Sequence, residues 1–207
     1  MIYPNGVEPP REEVLKYSLL VPENIRSAWI DLQSCFKSHR EFIKHEGWNV
    51  YHKPKNGVKL FTRVSESNRF CIKSVAQCRG NVNQIIKALF SSDYKVLYDD
   101  TFEGGHNFFE NLPYATMTTY AKFKKVMVVS SRDVIMIAKP FRISDKLIYL
   151  LGNSFEVDSY PPVKNVVRAE TPFTGWRIKV LEDGPVPLCK IMFYSEADFK
   201  ISLFLAK

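Results

Sequence analysis

Ser131-Arg132-Asp133-Val134-Ile135-Met136-Ile137 sets an adjacent pair of opposite charges at the head of an otherwise apolar strand. Further on, Val166-Val167-Arg168-Ala169-Glu170 is a second charged insertion in apolar sequence. Strand side chains alternate between faces. Neither segment shows the polar/apolar alternation of a solvated edge. Charge carried into strands that are buried on at least one face predicts a sheet wrapped around an interior, a container rather than a reaction centre.

Working outward, the chain of 207 residues is short enough for a single core. Its 15 Phe and 10 Tyr supply ample material for that core or for an apolar cavity. The longest apolar runs, such as Val126 to Val129, fall far short of the about 20 residues needed to span a bilayer. The start, Met1-Ile2-Tyr3-Pro4-Asn5-Gly6, lacks the basic-then-apolar pattern of a secretory leader, so a cytoplasmic location is expected. Cys35, Cys71, Cys78 and Cys189 are scattered without a Cys-x-x-Cys pair and read as reduced thiols. A net charge of +7 leaves nucleic acid or an anionic membrane as partner. No RNA-recognition signature, helix-turn-helix spacing or arginine-rich arm accompanies it, so nucleic acid is not expected.

Residues 1–21 read as a Pro-rich extension ending in a short amphipathic piece. From Pro22 onward, Ile25, Ala28, Trp29, Leu32, Phe36, Phe42 and Ile43 recur at helical spacing, and Gly47 can close the segment, which predicts one long helix. The period then changes. Asn56-Gly57 is a hairpin signal between strands at 50–53 and 58–64, and 70–79 is a third strand. Asn81 can cap a helix over 82–90. Strands are predicted at about 100–110, 114–124, 131–140, 146–156, 163–170, 173–180 and 187–194, joined by short links as an antiparallel meander. Ile201 to Lys207 reads as the first turns of a further helix.

Catalytic chemistry finds little support. His39, His45, His52 and His106 lack ligand spacing, and no nucleophile elbow, phosphate loop or dinucleotide fingerprint occurs. Arg132 and Asp133 are strand neighbours, so they face opposite ways and cannot converge on one substrate. No enzyme activity, metal or cofactor is expected.

The order of elements predicts an α+β helix-grip fold: a curved antiparallel sheet of about nine strands with N- and C-terminal helices, to which the resemblance that follows adds a hydrophobic tunnel. Several segments carry a family resemblance: Trp48 before Gly57-Val58-Lys59-Leu60-Phe61, then Ser92-Asp93-Tyr94-Lys95 with Tyr98-Asp99. Ser131-Arg132-Asp133-Val134, Val167-Arg168-Ala169-Glu170, Thr174-Gly175-Trp176 and Glu196-Ala197-Asp198-Phe199-Lys200 continue it. In this order they resemble a START domain, the lipid-transfer module related to steroidogenic acute regulatory protein, over about Trp29 to Phe204. Tyr98-Asp99 departs from the usual Trp-Asp, and Ser202 stands where Pro is common. The domain is therefore expected over 22–207, its C-terminal lid helix cut short.

The resemblance implies a tunnel holding one lipid, passed between membranes by a monomer. Burying its apolar area gains about 25 cal/mol per Å². The positions that hold an acid and a base in sterol-binding members fall on Thr119 and Ala138. Two positions of the aromatic cage found in choline-lipid members fall on Val134 and Met136. Lys95 matches the phosphate-binding basic residue of those members, which keeps the branch of phosphatidylcholine transfer protein in view. Lipid contacts are thus expected at Lys95, Thr119, Arg132, Val134, Met136, Ala138 and Thr171, with phospholipid favoured over sterol. Lys124, Lys125, Val126, Met127 and Val128 match a loop at the tunnel mouth and are expected to touch an anionic membrane transiently, each cation adding about 1 kcal/mol. The alternative is a lipid-sensing regulatory domain of a larger protein.

Overall fold

The computed structural model describes residues 8–52, 57–109, 111–126 and 130–198. Helices α1 (Arg11–Ser18), α2 (Glu23–Gln33) and α3 (Phe36–Lys44) precede strands β1 (Asn49–His52), β2 (Lys59–Val64) and β3 (Phe70–Arg79). Two short helices follow, α4 (Val82–Phe90) and α5 (Ser92–Lys95). Strands β4 (Phe102–Asn107), β5 (Met117–Phe123), β6 (Arg132–Ser144) and β7 (Leu147–Ser154) come next. The two-residue β8 (Val167–Arg168), β9 (Glu170–Glu182) and β10 (Leu188–Asp198) complete the described chain.

The strands form one sheet of ten in the order β1-β2-β3-β10-β9-β7-β6-β5-β4, with β8 attached to β6. The predicted meander is right within β1–β3 and within β4–β7. Three pairings depart from it: β10 returns to lie antiparallel to β3, β7 pairs with β9, and β8 lies parallel to β6. The last of these joins the two charged segments, for Asp133 stands opposite Arg168 in the register. Arg168 Nε donates to Asp133 Oδ1 at 2.7 Å and Nη2 to Oδ2 at 3.0 Å, a two-pronged ion pair on a carboxylate that is 0% exposed. Arg168 also donates to the carbonyl of Tyr160, which ties the 155–166 segment to the sheet.

The outer face of the sheet packs against α1–α3. Odd-numbered β6 residues Ile135, Ile137 and Phe141 meet Trp29, Leu32 and Phe36, and Val14 and Val21 join the same core. Residues 11–21 thus pack with the domain that begins after them. The predicted single long helix is two, because the Ser34 hydroxyl and amide both turn back to the Asp31 carbonyl and end α2. Glu8 then caps α3, its Oε1 accepting from the amides of Phe36 at 2.8 Å and Lys37 at 3.3 Å. Helix α3 ends at Lys44, short of Gly47, which does not cap it. The inner face carries α4, whose Ile85, Ile86 and Leu89 pack on Ile148, Leu150, Ile178, Val180 and Cys189. Asn81 caps α4 as predicted, Oδ1 accepting from Asn83 N at 2.9 Å. Gly57 at the hairpin has φ +79°, and Asn56 and the helix expected at 201–207 lie outside the described residues.

His39 of α3, buried against the sheet, is paired at both ring nitrogens. His39, 0% exposed, accepts from the Tyr194 hydroxyl at Nδ1 (2.9 Å) and donates from Nε2 to Asn153 Oδ1 (3.2 Å), a set that suits the neutral ring. Burial lowers its pKa to about 4. The unfolded chain takes up this proton near pH 6.5 and the folded chain only near 4, so His39 contributes stability that is present above 6.5 and lost as pH falls through that window. Urea unfolding from pH 7 to 4 is expected to show this loss, and His39→Gln to flatten it. An unchanged slope in the variant would refute the assignment.

Candidate functional site

Strand alternation sends Arg132, Val134, Met136 and Ala138 to the inner face, away from α1–α3. Register then extends these positions across the sheet. Thr119 faces Met136, which also faces Ser154. Next to that row, Met117 faces Ala138, Ala138 faces Gly152, Gly152 faces Thr174 and Thr174 faces Ser195. From Ala138 to Ser195 this second row holds only small side chains, so the inner face is lowest there.

Bulk rises on either side. Toward the C-terminal end of β6 the row Leu150, Trp176 and Phe193 leads into the α4 cluster. Toward its N-terminal end Val134 and Met136 cluster with Phe102, Ala121 and Phe123. Lys95 arrives over that cluster from α5, its Nζ 5.0 Å from the Phe102 ring centre and 4.7 Å from that of Phe123. Such placement is favourable for an ammonium. Lys95 is half-buried rather than a solvated surface lysine, and its side chain makes no hydrogen bond among the described residues. Burial lowers its pKa, with Asp99 acting against that shift. The combination is a half-buried ammonium with Asp99 nearby but no hydrogen-bonded anion among the described residues.

The remaining expected lipid contacts are dispersed around this floor. The Thr119 hydroxyl donates to Asn107 Oδ1 at 2.8 Å. Arg132 is buried opposite Phe123, where its guanidinium donates to the Ser130 carbonyl, and burial lowers its pKa. Thr171 sits beyond the row of small residues, its amide bonded to Ser154 Oγ (2.8 Å) and its hydroxyl 3.2 Å from Ser195 Oγ. The structure therefore brings Lys95, Val134 and Met136 to one cluster, with Thr119 and Ala138 beside it. Arg132 and Thr171 lie at opposite margins. Gly152, Thr174 and Ser195 escaped the sequence reading; only the alignment of four strands makes them neighbours.

Of the expected docking loop, Lys124, Lys125 and Val126 are exposed, Val126 by 46%, while Met127 and Val128 lie outside the described residues. Lys124 Nζ donates to the Asp100 carbonyl at 3.1 Å and its amide to that of Thr101 at 2.7 Å. These bonds hold the loop beside the turn after α5, where Val96, Leu97 and Tyr98 are also exposed, Leu97 by 77%. Scattered exposed apolar residues are ordinary, but several in one turn beside cations are not.

Known proteins share this fold. The crystal structure of human STARD10 superposes with a TM-score of 0.68 at 23% identity, covering 81% of this chain and 67% of that one. Human StAR-related lipid transfer protein 5 gives 0.71 at 13% identity over 93% and 86% of the two chains. The lipid transfer and protein localization domain of human StarD13 gives 0.64 at 16% identity over 82% and 84%. At these identities the likeness speaks for the fold. No curated protein sequence matches significantly. The model of the START domain family matches residues 38–204, most of the chain, and with the helix-grip architecture around it the chain belongs to the START domain family.

Proposed function

We propose that the protein binds one lipid along the inner face of the sheet and transfers it between membranes without chemical change. The observation that carries this reading is the low row Ala138–Gly152–Thr174–Ser195, with the half-buried Lys95 ammonium, which makes no hydrogen bond among the described residues, at one end of the inner face. Acyl chains laid over that row would be shielded from water, at about 25 cal/mol per Å² of apolar area. A phosphate near Lys95 would supply a directly bonded anion, which Asp99 nearby does not, and a charge-assisted bond of this kind contributes about 1.5–3 kcal/mol. Phospholipid is favoured over sterol because Thr119 and Ala138 supply neither of the charges the resemblance associates with sterols. Transient docking uses Lys124, Lys125 and Val126 with the exposed turn at Val96–Tyr98, on the anionic cytoplasmic surface of a membrane. No enzyme, cofactor or nucleic acid enters this reading, and a monomer suffices for it.

Native mass spectrometry with lipid extraction, followed by transfer between vesicles, tests the proposal. A one-to-one phospholipid complex and measurable transfer are expected. Lys95→Ala is expected to slow transfer of anionic phospholipid by about tenfold or more, the equivalent of 1.4 kcal/mol. Transfer by the variant at the parent rate would remove the role of Lys95, while absence of both bound lipid and transfer would sink the carrier reading itself.

A further inference from the structure

A second recess lies on the outer face, away from the lipid floor. Between α3 and strands β7, β9 and β10 runs a cleft of about 340 Å³. Its floor is apolar: Phe36, Ile143, Leu147 and Met192. Its rim is cationic: Arg40 and Lys44 from α3, and Arg177 from β9. No acidic side chain lines it among the described residues. Two acids border the adjoining recess that Phe36, Arg40 and Lys44 also line: Glu8, which accepts from the amides that begin α3, and Glu41, 3.9 Å from Lys37.

The cations are correspondingly unbalanced. Arg40 and Lys44 are exposed and form no ion pair or side-chain hydrogen bond among the described residues. Arg177 spends only Nε, on the Tyr149 hydroxyl at 3.1 Å, so its two terminal nitrogens are unpaired among the described residues. One step along the same face, Lys179 and Lys190 stand directly opposite each other on neighbouring strands. Like charges at facing positions are destabilising. A cluster that costs stability in the free protein is relieved by an anionic partner.

We propose that this cleft binds an acidic segment of a partner protein, seating one aliphatic or aromatic side chain on the floor while flanking carboxylates meet Arg40, Lys44 and Arg177. The shape favours a protein over a membrane. Phe36 and Tyr149 are buried, Ile143, Leu147 and Met192 are half-buried like Arg177, and Arg40 and Lys44 are exposed. A bilayer is entered by apolar groups that protrude beyond the charges; here they are recessed, and only a protruding side chain reaches them. Arg is the residue suited to two-pronged recognition of carboxylates, and charge pairing makes the contact salt-sensitive.

The test uses the full chain and three synthetic peptides: glutamates flanking a Leu-Phe pair, the same peptide with glutamines, and the same with Gly-Gly in place of Leu-Phe. Fluorescence anisotropy is expected to show saturable binding of the first, weakened by about tenfold or more in each of the others. Arg40→Glu combined with Lys44→Glu changes two exposed side chains and is expected to lower the affinity by at least the same factor. Ile143→Gln, which alters the floor alone, is expected to weaken binding as well. The proposal is overturned if the first peptide shows no saturable binding below about 1 mM, where only about 4 kcal/mol of affinity would be in play. Equal binding by the charge-reversed variant overturns it too. So does loss by that variant of binding to phosphatidylserine vesicles with peptide binding intact, which would assign the cations to a membrane.

Discussion

Arg168→Ala is expected to destabilise the protein by about 3–5 kcal/mol, because it leaves the Asp133 carboxylate buried without its partner. The geometry supports the upper part of that range. Both prongs of the guanidinium are within 3.0 Å of the carboxylate, and Asp133 is 0% exposed. The same arginine holds the carbonyls of Tyr160 and Pro161, so its loss also frees the segment that crosses from β7 to β8. A domain of this kind has about 5–15 kcal/mol in total, which puts the variant near the limit of folding. Urea denaturation measures the effect. Asp133→Ala on top of Arg168→Ala is expected to recover part of the loss, since the pair then disappears together and no lone charge remains. A surface pair gives the contrast: Lys146 and Asp183 are 62% and 68% exposed, and breaking them is expected to change stability by about 0.5 kcal/mol or less. A cost for Arg168→Ala as small as that of the surface pair would show that the buried bridge is not what closes this end of the sheet.

That bridge also marks how much could be read before the fold was known. Arg132-Asp133 and Val167-Arg168 stood out because charge is rare in buried strands, and the two segments do meet, at Asp133 and Arg168. Their parallel pairing could not be read, since it joins residues 35 apart, with β7 and the irregular 155–166 segment lying between the two strands. The periods of α4 and of β3 were legible because each is set by its own residues. The break between α2 and α3 was not, for the group that caps α3 is Glu8, 28 residues upstream. Lys95 shows the same division. Its place after Asp93-Tyr94 was visible, but its depth depends on the rings of Phe102 and Phe123, which reach it from β4 and β5. The floor was least legible of all. Ala138 was reached by counting from Arg132, but Gly152, Thr174 and Ser195 carry no mark of a site as single residues; their size matters only because four strands set them side by side.

Gly152 is where that floor is expected to be most sensitive. A Cβ there would come within 3.2 Å of Met136 Cε and 3.4 Å of both Ala138 Cβ and Thr174 Cγ2. All three contacts are with side-chain atoms, so alanine fits with small adjustments, whereas leucine must project over the row. If the proposed lipid lies there, Gly152→Leu removes on the order of 100 Å² of its contact, about 2.5 kcal/mol, or between tenfold and a hundredfold in affinity. The glycine does not have positive φ, so the change brings no backbone strain of its own. Expected results are an intact unfolding transition, loss of co-purifying lipid in native mass spectrometry, and transfer slowed by the same factor. Ala138→Leu, its neighbour on β6, is expected to act alike, and Gly152→Ala to stay close to the parent. Leucine at 175 behaves differently: a Cβ there would lie 2.2 Å from the Leu150 carbonyl oxygen, so that variant is expected to fail by misfolding rather than by blocking the site. A Gly152→Leu protein that folds and still carries lipid at the parent stoichiometry would place the ligand elsewhere, because no lipid can share that row with a leucine side chain.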